Sequence, residues 1–308
     1  GECPYKSPTD MGVNMAGNCI VDDEACCEAS RQEIIRRYYK SCAALLTGTG
    51  TEEEIRKIEL LLKQAHASLE DRKVVPASLQ KEKETGENGD YRYTDASLIP
   101  AGTECILVLG GDGTLIQAAR DTVDRKIPLL GVNLGTLGFL AEIEKAGVPD
   151  ALDSLILDNY TIEPRMLLEG TVYREGREPV KNLALNDIVV NRAGALRIID
   201  YEISVNGEPL NRYSADGMIV STPTGSTGYS LSAGGPIVSP MASMIVVTPI
   251  CPHTLTARSI VLSGGDRVTV RTGAGRRNQR EESFVTFDGE VQVPVATGDY
   301  VEIKKSEK

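Results

Sequence analysis

Five apolar residues, Cys105-Ile106-Leu107-Val108-Leu109, run directly into Gly110-Gly111-Asp112-Gly113-Thr114, and a helical stretch follows to Lys126. A short apolar run that ends in a turn reads as a strand buried on both faces, as in a parallel sheet. Thr114 to Lys126 places Leu115, Ala119 and Val123 on one helical face, and Ile127 to Val132 is apolar and strand-like again. Strand, helix and strand within about thirty residues make a βαβ unit. A further helix is expected over Ala151 to Leu157.

The turn itself points to phosphate. Glycines let a backbone come close to a ligand, and the N–H groups at a helix start attract anions. Gly110, Gly111, Gly113 and Thr114 are the candidate phosphate-binding residues. No Gly-Lys-Ser/Thr follows, so this is not a Walker A loop, and it is not G-x-G-x-x-G either. It differs from both in carrying an acid, Asp112. A carboxylate beside phosphates is repulsive unless it binds a metal or takes a proton. The plainer alternative is a tight strand-to-helix turn with a capping Asp.

From about Met166 strands dominate. MLLEGTVYR, NLALNDIVVNR, RIIDYEISVNG, GMIVSTP, SMIVVTP, SIVLS, DRVTVRT, SFVTFDG and DYVEIKK are β-rich and separated by turn residues. Asn206-Gly207 predicts a hairpin turn. This half is expected to be an antiparallel β domain. Upstream, Ser30 to Leu46 and Thr51 to Leu69 have helical spacing, and Thr51 with Glu54 forms a capping box. Residues 80–92 are polar and read as a linker.

The 308 residues suggest two domains, each with its own core. A net charge of −11 argues against non-specific nucleic-acid binding. No run of 18 apolar residues occurs, so no membrane span is expected, and the N-terminus has no apolar h-region of a signal peptide. Seven irregularly spaced cysteines argue for free thiols in a reducing cytoplasm rather than a disulfide framework. With no C-x-x-C pair and only His66 and His253, no protein metal site is expected.

Five further segments resemble one family. GGDGT after an apolar strand is shared by NAD kinases, diacylglycerol-type lipid kinases and, in related form, phosphofructokinases. Gly131 to Leu140 (GVNLGTLGFL) is similar to the NAD kinase loop G-x-N-x-G-x-L-G-F, where Phe139 would pack against a flat ligand or lie in the core. Asn186-Asp187 resembles the family's pair of Asn and Glu, with Asp one methylene shorter. Asp216 to Pro236 (DGMIVSTPTGSTGYSLSAGGP) is similar to the family's Ser/Thr/Gly cradle almost throughout, with Gly228 in place of the usual Ala. Pro249 to Leu255 followed by Ala257-Arg258 also fits, and Phe287-Asp288-Gly289-Glu290 resembles the late D-G-Q motif. The chain resembles the NAD kinase family over Tyr91 to Ile303.

The resemblance implies an NAD kinase-like two-domain fold of class α/β plus β. Its regions are an atypical helical N-terminal region and linker (1–90), an α/β domain with GGDGT (91–160), a β-rich NAD-binding domain (161–290) and a C-terminal strand returning toward the first domain (291–308). The ligand would sit in the crevice between the domains. The family's opening strand is not found in residues 1–40, and the family's further strand and helix would lie past Lys308. The implied reaction transfers phosphate from ATP, or from polyphosphate, to the 2′-hydroxyl of NAD's adenosine ribose, giving NADP. Mg²⁺ would bridge the donor phosphates. Asp112 either takes the hydroxyl proton or orients that hydroxyl and the metal. NAD would be held by Asp112, Gly113, Phe139, Asn186, Asp187, Asp216, Thr227, Gly228, Tyr229 and Ser232. Arg197 and Ser214 would approach it from a neighbouring subunit of a homodimer or homotetramer. Two rivals share part of the pattern. A lipid kinase would have GGDGT and membrane affinity but no 216–236 cradle. A catalytically weak NAD-binding module would bind without turnover.

Overall fold

The computed structural model describes residues 42–45, 96–99, 101–134, 138–193, 199–254, 256–275 and 282–308. The helix expected over Thr51 to Leu69, the linker at 80–92 and Arg197 lie outside them. The described residues fall into two compact units, one ending at Ile162 and the other running from Glu163 to Lys308.

The first unit is built on four parallel strands in chain order, β1 (Cys42–Leu45), β2 (Cys105–Gly110), β3 (Leu129–Asn133) and β4 (Ile143–Glu144). Every residue of β2 is buried, as the apolar run predicts. Side chains alternate across a strand. Ile106 and Val108 accordingly pack with Ile99 and Ala118, while Leu107 and Leu109 pack with Val132, Val148 and Leu152. The first group lies beside α1 (Asp112–Thr122) and the second beside α2 (Val148–Ile156), so a helix covers each face. Fully burying one such Leu or Val stabilises by about 1.5–3 kcal/mol.

Three expectations need correction here. Cys42–Leu45 is not the end of a helix; it pairs in parallel with Cys105–Val108. A buried central strand exposes ladder groups on both edges, and satisfying them outweighs the helix propensity of Ala and Leu. A parallel strand therefore does precede β2, just after residue 40. The buried face of α1 carries Ala118 and Thr122, not Ala119 and Val123. Val123 has left the helix for a 3-10 turn, Val123–Arg125, and the Thr122 hydroxyl is satisfied by donating to the Ala118 carbonyl at 2.7 Å. The second helix starts earlier than expected, at Val148, with a proline in its first turn.

The second unit is a sandwich of two six-stranded antiparallel sheets. One is ordered β6-β5-β16-β13-β8-β9, from β5 (Leu168–Tyr173), β6 (Val180–Ala184), β8 (Ile199–Val205), β9 (Glu208–Ala215), β13 (Val268–Gly275) and β16 (Tyr300–Lys305). The other is ordered β12-β11-β10-β7-β14-β15, from β7 (Asp187–Arg192), β10 (Gly217–Ser221), β11 (Met244–Ile250), β12 (Ile260–Ser263), β14 (Glu282–Phe287) and β15 (Val291–Ala296). Their inner faces share one core, including Leu168, Ile203, Met218, Val270, Phe287 and Ile303.

Two strands were not legible. β9 is an edge strand whose first five residues are exposed, so it lacks an apolar signature. Its turn was readable: Asn206 and Gly207 take φ 53° and 88°, both left-handed, as a type I′ hairpin requires. β15 alternates well, but Pro294 interrupts its pattern, and proline is tolerated because the strand is at an edge. NLALNDIVVNR is also not one strand. It breaks at Leu185-Asn186, and its halves β6 and β7 join different sheets. Residues 291–308, expected as a single strand returning toward the first domain, form β15 and β16, each paired inside a sheet of the second unit.

Candidate functional site

In the first unit, Gly111 is the N-cap of α1 and Asp112 its first residue. The Asp112 carboxylate turns back across the loop after β3. It accepts from the backbone N–H of Phe139 at 2.7 Å, Leu140 at 3.1 Å and Ala141 at 3.2 Å. The two glycine motifs of this unit are thus joined by one side chain. Gly138 is required by close approach, since a Cβ there would lie 2.3 Å from Asp112 Oδ1. Gly110 is buried, and its missing Cβ leaves room for the Thr114 side chain. Gly111 and Gly113 have open space at that position. Phe139 is 74% exposed, so it is not a core residue.

In the second unit the candidate residues converge on the outer face of the sheet that contains β7 and β10. Residues paired directly across an antiparallel ladder share a face. Asp187 pairs with Ser221, and Val189 with Ile219. Val189, Ile219 and Ile250 form a small apolar patch on this outer face, and Ala233 packs on it. The cradle therefore lies over this sheet, with a 3-10 turn, Thr224–Thr227, followed by one turn of α-helix, α3 (Tyr229–Ser232).

Much of the cradle's Ser/Thr content is scaffold. The Thr222 hydroxyl donates to the Leu185 carbonyl at 2.6 Å and accepts from Gly225 N–H at 3.0 Å. Ser226 donates to the Pro223 carbonyl at 2.7 Å and accepts from Val238 N–H at 3.0 Å. Ser230 and Thr248 share a buried hydrogen bond at 3.0 Å. Gly225 must be glycine, because a Cβ would fall 2.1 Å from the Asn186 carbonyl oxygen. Thr227 donates to the Thr224 carbonyl at 3.2 Å. Tyr229 is 44% exposed, and Ser232 is exposed too. Partial burial, and secondarily Cys251, Asp187 and Asp216, raise the Tyr229 phenol above its usual value.

Asn186 and Asp187 sit where the chain crosses between sheets. Asn186 Oδ1 is buried with no hydrogen-bond partner, and a buried polar atom of this kind calls for an explanation. Asp187 is only 6% exposed. Burial, and secondarily the Asp288 carboxylate, push it up to about 7. Asp216 faces Arg192, whose Nε lies 3.1 Å from Oδ1, with a second contact to Oδ2 at 3.4 Å. Arg192 was absent from the residues expected from sequence; nothing in the motif signals it, since it stands 24 residues from its partner. Ser214 hydrogen-bonds the Asp200 carboxylate on β8, and Asp200 also pairs with Arg212 at 2.9 Å. The structure thus brings Asn186, Asp187, Asp216, Gly228 and Tyr229 together, while Asp112, Gly113 and Phe139 belong to the other unit.

At Gly228, φ is −91°. An added Cβ would meet the Gly225 carbonyl oxygen at 3.4 Å and Asn186 Nδ2 at 3.7 Å, both ordinary contacts. Gly228→Ala is therefore expected to stabilise the chain by about 0.4–1 kcal/mol by restricting the unfolded state. Thermal melts check this, and a lower melting temperature would refute it.

Among the described residues, no helix is long and apolar enough to cross a membrane. Residues 37–160 match the ATP-NAD kinase N-terminal domain, and 185–308 match the ATP-NAD kinase C-terminal domain. Residues 1–66 also match the N-terminal part of a domain of unknown function, DUF1846, overlapping the NAD kinase match from residue 37 onward. An NAD kinase of Lachnospira eligens is 50% identical over 238 residues, covering 74% of this chain and 81% of the relative. One from Lachnoclostridium phytofermentans is 51% identical over 218 residues, covering 70% and 76%. The fold resembles that of yeast NADH kinase complexed with NADH, with a TM-score of 0.70 and 24% identity over 87% of this chain and 81% of that one. It also resembles that of an NAD kinase from Archaeoglobus fulgidus in complex with ATP, with a TM-score of 0.63 and 25% identity over 87% and 90%. With half of the aligned residues identical over most of both chains, this chain belongs to the NAD kinase family.

Proposed function

We propose that the chain transfers the γ-phosphate of ATP to the 2′-hydroxyl of the adenosine ribose of NAD, giving NADP and ADP. Family membership supports the reaction, and relatives' structures in complex with NADH and with ATP support the two substrates. The observation in this chain that favours it most is the buried, unpartnered Asn186 Oδ1 beside the buried Asp187, under the cradle. A hydroxyl-rich ligand would give both acceptors a donor.

In this reading, Asn186 and Asp187 hold ribose hydroxyls, and Thr227, Gly228, Tyr229 and Ser232 line the nucleoside. Asp216, held by Arg192, keeps lone pairs for an amide N–H. Gly111, Gly113 and the α1 N-terminus receive phosphate. Asp112 uses three acceptor positions on backbone amides, and a carboxylate offers about four. The fourth is available to the attacking hydroxyl, as base or as orienting acceptor. Phosphoryl transfer depends mainly on such positioning and on charge neutralisation.

No group of three or more His, Cys, Asp or Glu that could hold a metal occurs among the described residues. Magnesium commonly arrives with substrate phosphates rather than in a protein cage, so it belongs here with ATP as substrate. The proposal includes a cytoplasmic homodimer or homotetramer, with Arg197 and Ser214 serving a neighbouring subunit. Ser214 lies on the edge strand β9, which fits that role.

The test is a coupled assay with NAD, ATP and Mg²⁺, read with an NADP-specific dehydrogenase. NADP formation is expected, and a parallel arm with polyphosphate identifies the donor. NAD binding without NADP in either arm would select a non-catalytic binding module instead.

A further inference from the structure

Asp288 lies in the turn between β14 and β15 with φ 49°, a left-handed conformation that non-glycine residues seldom adopt. With Gly289 at φ 74° and the Glu290 N–H on the Phe287 carbonyl at 3.1 Å, Asp288-Gly289 is an ordinary left-handed turn pair like Asn206-Gly207, and what sets Asp288 apart is where its side chain goes. Its carboxylate accepts from three successive backbone amides, Leu185 at 2.9 Å, Asn186 at 2.8 Å and Asp187 at 3.1 Å. Its own N–H donates to the Asp187 carbonyl at 3.0 Å. These amides run from the end of β6 to Asp187, the first residue of β7, where the chain leaves one sheet for the other. Leu185 and Asp187 are buried there, and a buried N–H without a partner costs roughly 1–3 kcal/mol.

We propose that Asp288 is the positioning residue for ribose recognition: it fixes the backbone of Asn186 and Asp187 and places a negative charge beside them. The proposal rests on the reading that this pair holds ribose hydroxyls. It names a role for a turn that contributes no group to the ligand itself. The charge matters as much as the geometry. The titratable groups that face Asp187 among the described residues are Asp288 and, from α3, Tyr229, with Asp216 also near that phenol. Ionised, Asp187 is acceptor-only and takes both vicinal hydroxyls with a full charge; protonated, it keeps less acceptor capacity and gains a donor, and Asp288 opposes the ionisation. Affinity for NAD should therefore rise with pH, with a midpoint that depends on the Asp288 charge.

Asp288→Asn keeps the shape, removes the charge and turns an amide donor toward one of the three N–H groups. Expected results are a KM for NAD raised about 10-fold or more, and a KM for ATP unchanged. The pH midpoint of NAD affinity should move acid-ward by about one unit. Asp288→Glu keeps the charge but not the geometry, so it should weaken NAD while leaving the midpoint in place. Asp299→Asn is the control. That turn carboxylate likewise accepts from backbone amides, those of Glu175 and Ala296, and its loss should leave NAD affinity unchanged.

NAD binding is followed by calorimetry on the full chain alongside turnover. An Asp288→Asn protein with wild-type NAD affinity and an unmoved midpoint overturns the proposal. Should that variant not fold, wild-type NAD affinity in Asp288→Glu overturns it instead. A wild-type chain that forms no NADP would defeat the functional reading, while the calorimetry would still decide whether Asp288 positions a dinucleotide site.

Discussion

Asp112→Asn is expected to lower turnover by about 10²–10⁴-fold, the usual cost of losing a general base. The substitution removes two things together. It removes the charge that would orient or deprotonate the attacking hydroxyl. It also turns an NH₂ group toward amides of the segment Phe139 to Ala141, which now meet an acceptor at every point. Gly138→Ala separates these effects. It keeps the carboxylate but places a methyl 2.3 Å from Oδ1, so the side chain must move. If the carboxylate acts only where the loop holds it, both variants lose activity while circular dichroism remains native. Near-normal turnover in Asp112→Asn would remove Asp112 from the chemistry, and near-normal turnover in Gly138→Ala would remove the loop contact from its function.

The second large effect concerns pH. Asp187 rises from 3.8 to about 7 in the folded chain, chiefly by burial and then by the Asp288 charge. A carboxyl raised on folding binds its proton more tightly in the folded state. Its contribution is fully present below the unfolded value near 3.8 and is lost as pH rises through about 7. At pH 8 the ionised, buried Asp187 then costs on the order of 4 kcal/mol. Asp187→Asn should therefore be more stable than the wild type at pH 8, and the difference should vanish near pH 4. Urea unfolding at the two pH values measures it, and equal midpoint differences at both would defeat the argument. The same variant should bind NAD about 10- to 100-fold more weakly, since a hydrogen bond to a charged acceptor is worth roughly 1.5–3 kcal/mol. Stability withheld at a binding residue is a common trade.

Sequence made the α/β core legible because β2 carries its own evidence: an unbroken apolar run, a glycine turn and a helix. The cradle was legible for the same reason, as a contiguous segment. What sequence could not show was pairing across distance. Arg192 finds Asp216 only once β7 and β10 lie side by side. Asp288 reaches Leu185, Asn186 and Asp187 across more than a hundred residues. Local pattern also misled where tertiary pairing overrode it, as at Cys42–Leu45, and where an apolar run concealed a change of sheet, as at Leu185-Asn186. The inward Ser/Thr hydroxyls of the cradle look the same in sequence as the outward ones, since one letter does not say which way a hydroxyl points.

The alternation along β10 has a consequence for how this protein tolerates change. Met218 and Val220 face the sandwich core, while Ile219 between them lies in the patch beneath Ala233. Truncating either of the first two opens a cavity in the core, at a cost of about 2–5 kcal/mol for Met→Ala. Shaving Ile219 instead loosens the floor on which the cradle rests. The fold and the site thus draw on alternate residues of one strand, so mutations can accumulate in the core while recognition is preserved, and the reverse.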